Sequence, residues 1–255
     1  MSKICAIADL GTNTFQLLIS PLDHFQVLEH LQRPVGLGMG AMEQVVLQED
    51  AMDRALVALH EFMSLFLSKG GDISDFYAIG TSILRRASNA GAFIQRVKEE
   101  LGVSILVIDG IQEAEYIYAG IRNSLPERWE KTSLVMDIGG GSVEFILFKG
   151  GTILYKVSLE LGGLRLLSMF QQDGYFHQSQ LGSLQTYIVD QMQPLFAACV
   201  YHQPEVLIGA AGAFETIWDL AHVNSPDSVI PPASELVITQ FYEQKKMVEE
   251  TDFEG

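Results

Sequence analysis

The sequence predicts an α/β protein of two similar domains with a ligand held between them. Three features carry this expectation. The stretch Leu134-Val-Met-Asp-Ile-Gly-Gly-Gly-Ser-Val-Glu-Phe-Ile-Leu-Phe148 reads as strand, glycine turn, strand. Ile4-Cys-Ala-Ile-Ala-Asp-Leu-Gly-Thr-Asn-Thr-Phe-Gln-Leu-Leu-Ile19 repeats that order, and Asp9 and Gly11 precede Asp137 and Gly139 by one offset (137 − 9 and 139 − 11, both 128), about half the chain. After each hairpin, short β-rich runs alternate with helical patterns, as in layered sheet-and-helix folds.

In the first half, Phe25 to Leu31 is expected as a third strand. The alternate glycines of Val35-Gly-Leu-Gly-Met-Gly40 suit either a loop passing close to another surface or a connector. Met52, Ala55, Leu56, Leu59, Phe62, Met63 and Phe66 recur at three- and four-residue steps, an amphipathic helix that Gly70-Gly71 stops. Phe76 to Ile79 is a short strand. Gly80-Thr-Ser-Ile-Leu-Arg-Arg86 then offers hydroxyls and two arginines, either an oxyanion contact through Arg85 or Arg86 or a solvated pair. Asn89 is placed to cap a helix that ends at Gly102, and Val103 to Ile108 reads as a strand. Gln112 to Tyr118 opens a helix directly after it. Glu113 and Glu115 there serve either the helix dipole or, at a strand-to-helix junction, general-base chemistry.

In the second half, Gly151 to Leu159 is expected as the third strand. Leu161-Gly-Gly-Leu-Arg165 is a further candidate anion contact. Leu181 to Cys199 has one long helical pattern, bent or interrupted at Pro194. Val206 to Ile208 is a strand leading through Gly209-Ala-Ala-Gly212 into a helix. Ser225 to Pro232 reads as a loop, with Ser234 capping a final acidic helix. Each half is then βββαβα(β)α.

Composition narrows the function. A net charge of −16 argues against nucleic-acid binding, which relies on Lys and Arg to displace counterions from phosphate. A polyanionic ligand would need a local basic pocket or metal ions. Two cysteines, Cys5 and Cys199, form no disulfide framework and suit a reducing, cytoplasmic setting. No apolar run approaches the ~18 residues of a membrane span, and the six scattered histidines make no zinc-like spacing.

Asp9-Leu-Gly-Thr-Asn-Thr-Phe15, Gly80-Thr-Ser-Ile-Leu-Arg85, Glu113-Ala-Glu115, Asp137-Ile-Gly-Gly-Gly-Ser-Val-Glu144 and Leu161-Gly-Gly-Leu-Arg165, in that order, resemble the exopolyphosphatase / guanosine pentaphosphate phosphohydrolase (Ppx/GppA) family from Ile4 to about Leu220. The resemblance implies the actin/hexokinase/Hsp70 (ASKHA) fold: two ribonuclease-H-like, actin-like domains, residues 1–123 and 124–255, with the active site in the cleft between them. It implies a Mg²⁺-dependent phosphoric anhydride hydrolase acting on inorganic polyphosphate, with guanosine pentaphosphate (pppGpp) as the alternative substrate. Carried over by position, Glu113 is the base for the attacking water. Asp137, Glu144 and Asp9 organise the metal, with Glu144 also acting on the water. Gly11, Thr12, Asn13, Thr14, Gly139, Gly140, Gly141, Ser142 and Gly212 cradle phosphate, and Arg85 neutralises developing charge. A cytoplasmic homodimer without nucleic-acid or membrane partners completes the expectation. Gly212-Ala213 stands where the family often has Gly-Thr, one hydroxyl fewer. Two other readings remain: a small-molecule kinase of the same fold, and a catalytically weak binding protein.

Overall fold

A computed structural model describes residues 3–41, 45–125, 130–171, 177–222 and 238–250, with side chains to 247. The first half opens with β1 (Ile4–Leu10), β2 (Thr14–Pro21) and β3 (Glu29–Pro34), an antiparallel meander. Strands β4 (Phe76–Gly80) and β5 (Ile105–Val107) join in parallel, giving the order β3-β2-β1-β4-β5. Helices α1 (Glu49–Ser68), α2 (Ser82–Arg86), α3 (Ala90–Leu101) and α4 (Gly110–Ser124) intervene or follow.

The second half repeats the plan with β6 (Ser133–Ile138), β7 (Val143–Lys149), β8 (Thr152–Leu159) and the parallel β9 (Val206–Ala210), in the order β8-β7-β6-β9. Its helices are α5 (Gly163–Phe170), α6 (Leu181–Gln191), α7 (Gln193–His202), α8 (Gly212–Ala221) and α9 (Ile238–Glu250). Among the described residues the second half has no counterpart of β5. No described helix is long and apolar enough to cross a membrane.

The apolar stripe of α1 buries Ala55, Leu59, Phe62 and Phe66 against Ala6, Ala8, Leu17 and Ile19 of the first sheet. Helix α4 falls in 1–123 but for its last residue, yet its Ala114 and Tyr118 pack on Val135, Ile146 and Phe148 of the second sheet. The other face of that sheet carries Val143 and Phe145, packed with Leu161 and Leu195. Both faces of the second sheet are therefore covered. On the first, Ile7, Tyr77 and Leu106 stay exposed.

Several elements differ from expectation. The third strand runs Glu29–Pro34 rather than Phe25 to Leu31, because β2 pairs Ile19 with Glu29 and Thr14 with Pro34. Its polar alternation, as on many edge strands, carries little hydrophobic signal. Asn89 does not cap α3. Its side chain instead accepts from Leu47 N at 2.8 Å and donates to Leu47 O at 3.0 Å, pinning the chain ahead of α1. The Leu181-to-Cys199 pattern is two helices broken at Met192. Pro194 sits in the first turn of α7, where a missing N–H costs no hydrogen bond. Expectations for Ser225 to Pro232 and Ser234 lie outside the described residues.

Candidate active site

Strand register assembles the acidic part of the site. Asp137, the penultimate residue of β6, lies directly opposite Glu144 of β7, and Glu144 lies opposite Ser158 of β8. Residues directly opposite share a sheet face, so these three form one row. Glu144 is buried and accepts from Ser158 Oγ at 2.7 Å and from the Ser142 hydroxyl.

Helix α4 lies over that row. Asp109 caps it, accepting from Ile111 N and Gln112 N, while the Gln112 side chain accepts from Asp109 N. Such a capping box fixes the first turn, and Glu113 is in that turn. A Cβ on Gly110 would stand 2.4 Å from Ser158 Cβ, so only glycine lets the helix start come this close to β8. Glu113 Oε2 accepts from Arg85 Nη1 at 2.6 Å, and the same nitrogen donates to Ile108 O at 3.1 Å.

Asp9 ends β1 as Asp137 ends β6. The four carboxylates repel one another. Asp9 is pushed up to about 7, first by desolvation, then by Glu113 and Asp137. The residue is nonetheless exposed to solvent. Desolvation and Glu113 push Asp137 up to about 6. Glu144 is raised by burial and Glu113, against the two hydroxyl hydrogen bonds. Glu113 is raised by burial, with Arg85 opposing. Among the described residues no group of three or more His, Cys, Asp or Glu side chains is placed to enclose a metal ion.

The glycine turns supply the opposite charge. Carbonyls of the second turn are all held from behind: Gly139 O by Gly163 N at 2.9 Å, Gly140 O by Leu164 N at 2.9 Å, and Gly141 O by Arg165 Nε at 2.9 Å. In a planar trans peptide the C=O and the following N–H point in opposite directions. The N–H groups of Gly140, Gly141 and Ser142 therefore face away from α5, and consecutive amides aimed one way attract an anion. The first turn uses the same device. Gly38 N donates to Thr12 O at 2.8 Å and Gly36 N to Asn13 O at 2.7 Å, which turns the Asn13 and Thr14 amides the other way. The alternate glycines at 36–40 are thus the backing of that turn. Leu161-Gly-Gly-Leu-Arg165, expected as an anion contact, backs the second turn, and the buried Arg165 is committed to it.

The two turns touch. A Cβ on Gly140 would lie 3.2 Å from Thr12 Cβ, and one on Gly141 would lie 2.5 Å from Ser82 Oγ and 2.7 Å from Thr12 Oγ1. The structure therefore brings Asp9, Gly11 to Thr14, Arg85, Glu113, Asp137, Gly139 to Ser142 and Glu144 into one region. Gly212 begins α8, just beyond β9, where Ala210 lies opposite Asp137. A Cβ there would meet nothing within 4 Å. Its neighbour Ala211 has φ +66° and ψ 176°, a conformation that favours glycine.

Sequence reasoning missed Ser158 and Glu160, and it named Ser82 only as one of the hydroxyls of the 80–86 stretch. The Ser82 hydroxyl is buried at the contact between the turns and has no hydrogen-bond partner among the described residues. Its signal was its place three residues before Arg85.

The pattern describing the Ppx/GppA phosphatase family matches residues 19–255. The chain belongs to the Ppx/GppA phosphatase family. It is similar to a crystal structure of an exopolyphosphatase from Cytophaga hutchinsonii, with 33% identity and a TM-score of 0.89 over 97% of this chain and 80% of that one. It is also similar to the Aquifex aeolicus Ppx/GppA family member, with 25% identity and a TM-score of 0.73 over 98% and 79% of the two chains. An exopolyphosphatase-like protein, 22% identical over 96% of this chain and 77% of that one, shares the fold at a TM-score of 0.83. The two mixed sheets are accordingly the two actin-like domains of this family, and the protein is a phosphoric anhydride hydrolase.

Proposed function

We propose that this Ppx/GppA phosphatase releases terminal orthophosphate from inorganic polyphosphate by direct attack of water. The observation that carries the reading is the pairing of outward-facing turn amides with Glu113, a carboxylate raised by burial yet held by Arg85. Phosphoryl transfer needs an oriented nucleophile and neutralised charge on the equatorial oxygens, with little covalent work from the protein. In this scheme Glu113 accepts a proton from the water whose oxygen bonds to the terminal phosphorus. The bridging P–O bond breaks, and the shortened chain leaves with the bond's electrons. Amides of Gly140 to Ser142, Asn13 and Thr14 hold the transferring group. Arg85 favours the ionised form of Glu113 and would offset charge on the phosphoryl oxygens.

The acidic residues suit a divalent cation. Their oxygens are hard donors, raised first by burial and then by mutual repulsion, and a cation would relieve both. Mg²⁺ is commonly held by one or two carboxylates plus water and substrate phosphate, rather than by an all-protein cage. Asp137 and Glu144, with Asp9, would hold it. Bound there, it supplies charge neutralisation for the phosphate oxygens.

Orthophosphate release from polyphosphate and from pppGpp, with Mg²⁺ or EDTA, for wild type and Glu113→Gln, tests the proposal. Metal-dependent release from polyphosphate, lost in the variant, is expected. Preference for pppGpp would reassign the substrate at the same site, and full activity of Glu113→Gln would overturn the base assignment. The two-cysteine composition fits a cytoplasmic setting for this activity.

A further inference from the structure

The second glycine turn is held by more than the start of α5. Arg165, buried, donates from Nε to Gly141 O at 2.9 Å and from Nη2 to Glu160 Oε2 at 2.5 Å. The same Glu160 oxygen accepts from Arg86 Nη1 of α2 at 2.9 Å. Arg86 stands on the first half, immediately after Arg85, and Glu160 follows the last residue of β8 in the second. One carboxylate oxygen therefore joins the two halves directly behind the phosphate turn.

We propose that Glu160 is a positioning residue, which couples Arg86 of the first half to Arg165 and thereby fixes the Gly141–Ser142 peptide in the orientation that binds a phosphoryl group. Arg165 is a buried cation whose side chain has two partners among the described residues, a carbonyl and Glu160. Removing the carboxylate leaves that charge uncompensated, a strong drive for the guanidinium to turn toward water. The Gly141 carbonyl then loses its donor. Peptides flanked by glycines rotate with little steric resistance, so the amides lose their common aim. Glu160 itself is half exposed and acts only through Arg165 and Arg86. Its effect belongs on phosphate binding more than on the chemical step.

The role rests on the hydrolase reading only for its kinetic readout, and pyrophosphate binding measured by calorimetry in EDTA provides a second one. Wild type, Glu160→Gln, Glu160→Ala, Arg86→Ala and the Arg86→Ala/Glu160→Ala double variant are compared. Glu160→Ala is expected to weaken pyrophosphate binding and raise KM about tenfold, as loss of a partner behind a ligand commonly does. The maximal kcat stays close to wild type, while the melting temperature falls as the buried Arg165 loses its partner. Because Glu160 also repels Glu113, kcat is taken from full pH profiles. Glu160→Gln, which keeps an acceptor oxygen, falls between wild type and Glu160→Ala. The double variant is no worse than Glu160→Ala, since both residues act along one path. Unchanged binding and KM in Glu160→Ala, or additive losses in the double variant, would overturn the proposal. A wild type that binds pyrophosphate but hydrolyses nothing would sink the hydrolase reading and leave Glu160 to be judged by binding. A wild type that binds none would remove the phosphate cradle and this role with it.

Discussion

Arg85 Nη1 lies 2.6 Å from Glu113 Oε2, joining the last turn of the first half's α2 to the first turn of α4. Burial, and to a lesser extent Glu160, favour a neutral Glu113. Arg85 opposes them and favours the proton-accepting form.

Glu113→Gln is expected to lower kcat by about a hundredfold to ten-thousandfold, the usual contribution of a general base, with the fold intact. Phosphate release with a matched circular dichroism spectrum and melting curve checks this. Near-normal turnover would assign the proton to another group.

Arg85→Ala acts on the same carboxyl in the opposite sense. Arg85 lowers the Glu113 pKa, so its loss raises it further, and less base is ionised at any given pH. The acid limb of the kcat/KM profile should move to higher pH. A profile of unchanged shape would show that the ion pair does not govern ionisation.

Asp9 and Asp137 give a pH-dependent stability whose sign is fixed by their upward shifts, to about 7 and about 6. A carboxyl raised on folding binds its proton more tightly in the native state. Its penalty is absent below the ordinary carboxylate range and grows as pH rises toward 7. In EDTA, Asp9→Asn should therefore be more stable than wild type at pH 8, with the gap closing by pH 4. Because Asp9 is open to water, the gain is on the order of 1 kcal/mol after screening. Equal melting temperatures at pH 8 would show that the repulsion is already relaxed.

A divalent cation should remove that penalty. Mg²⁺ is expected to raise the melting temperature more at pH 8 than at pH 5, and Asp137→Asn should largely abolish the rise. A cation at about one hundred times its Kd contributes about 2.7 kcal/mol. Thermal melts in Mg²⁺ and EDTA measure the effect, and a shift indifferent to Asp137 would place the ion elsewhere.

Two glycines should differ in severity for a geometric reason. A Cβ at Gly141 meets Ser82 and Thr12 side chains, whereas one at Gly162 falls 2.4 Å from backbone atoms of Gly140 and Gly141. Side chains can turn aside and a hydrogen-bonded turn cannot. Gly141→Ala is expected to cost about 1–3 kcal/mol, with a higher KM, and Gly162→Ala more. Denaturant unfolding of both variants checks the order.

Much of the site was legible because its parts are local. Strand, carboxylate, glycine and small polar turn follow one another within a few residues, and the copies at Asp9 and Asp137 share one offset. Partners brought by other elements were not legible. Gly36 and Gly38 signal a close approach in the sequence, but not that they approach the carbonyls of Thr12 and Asn13. That Arg165 holds the second turn from behind was not legible either, because composition does not say which side of a turn an arginine occupies.

The Glu144–Ser158 contact shows where the boundary falls. Counting back from Lys149 paired with Thr152 across the Gly150-Gly151 turn would set Val157 opposite Glu144. An irregularity beside Leu147 and Phe148 shifts the register by one, and Ser158 takes that place instead. A one-residue shift exchanges the faces of a strand, and it gives a buried carboxylate a hydroxyl in place of a methyl group. Residue order by itself determined the two hairpins, the duplicated carboxylates and the turns that point to phosphate, since these depend on neighbours in the chain. Only the tertiary structure decided which carbonyls are tied back, which arginine faces which carboxylate and how the halves touch. Those relations depend on register and packing between segments that the sequence keeps far apart.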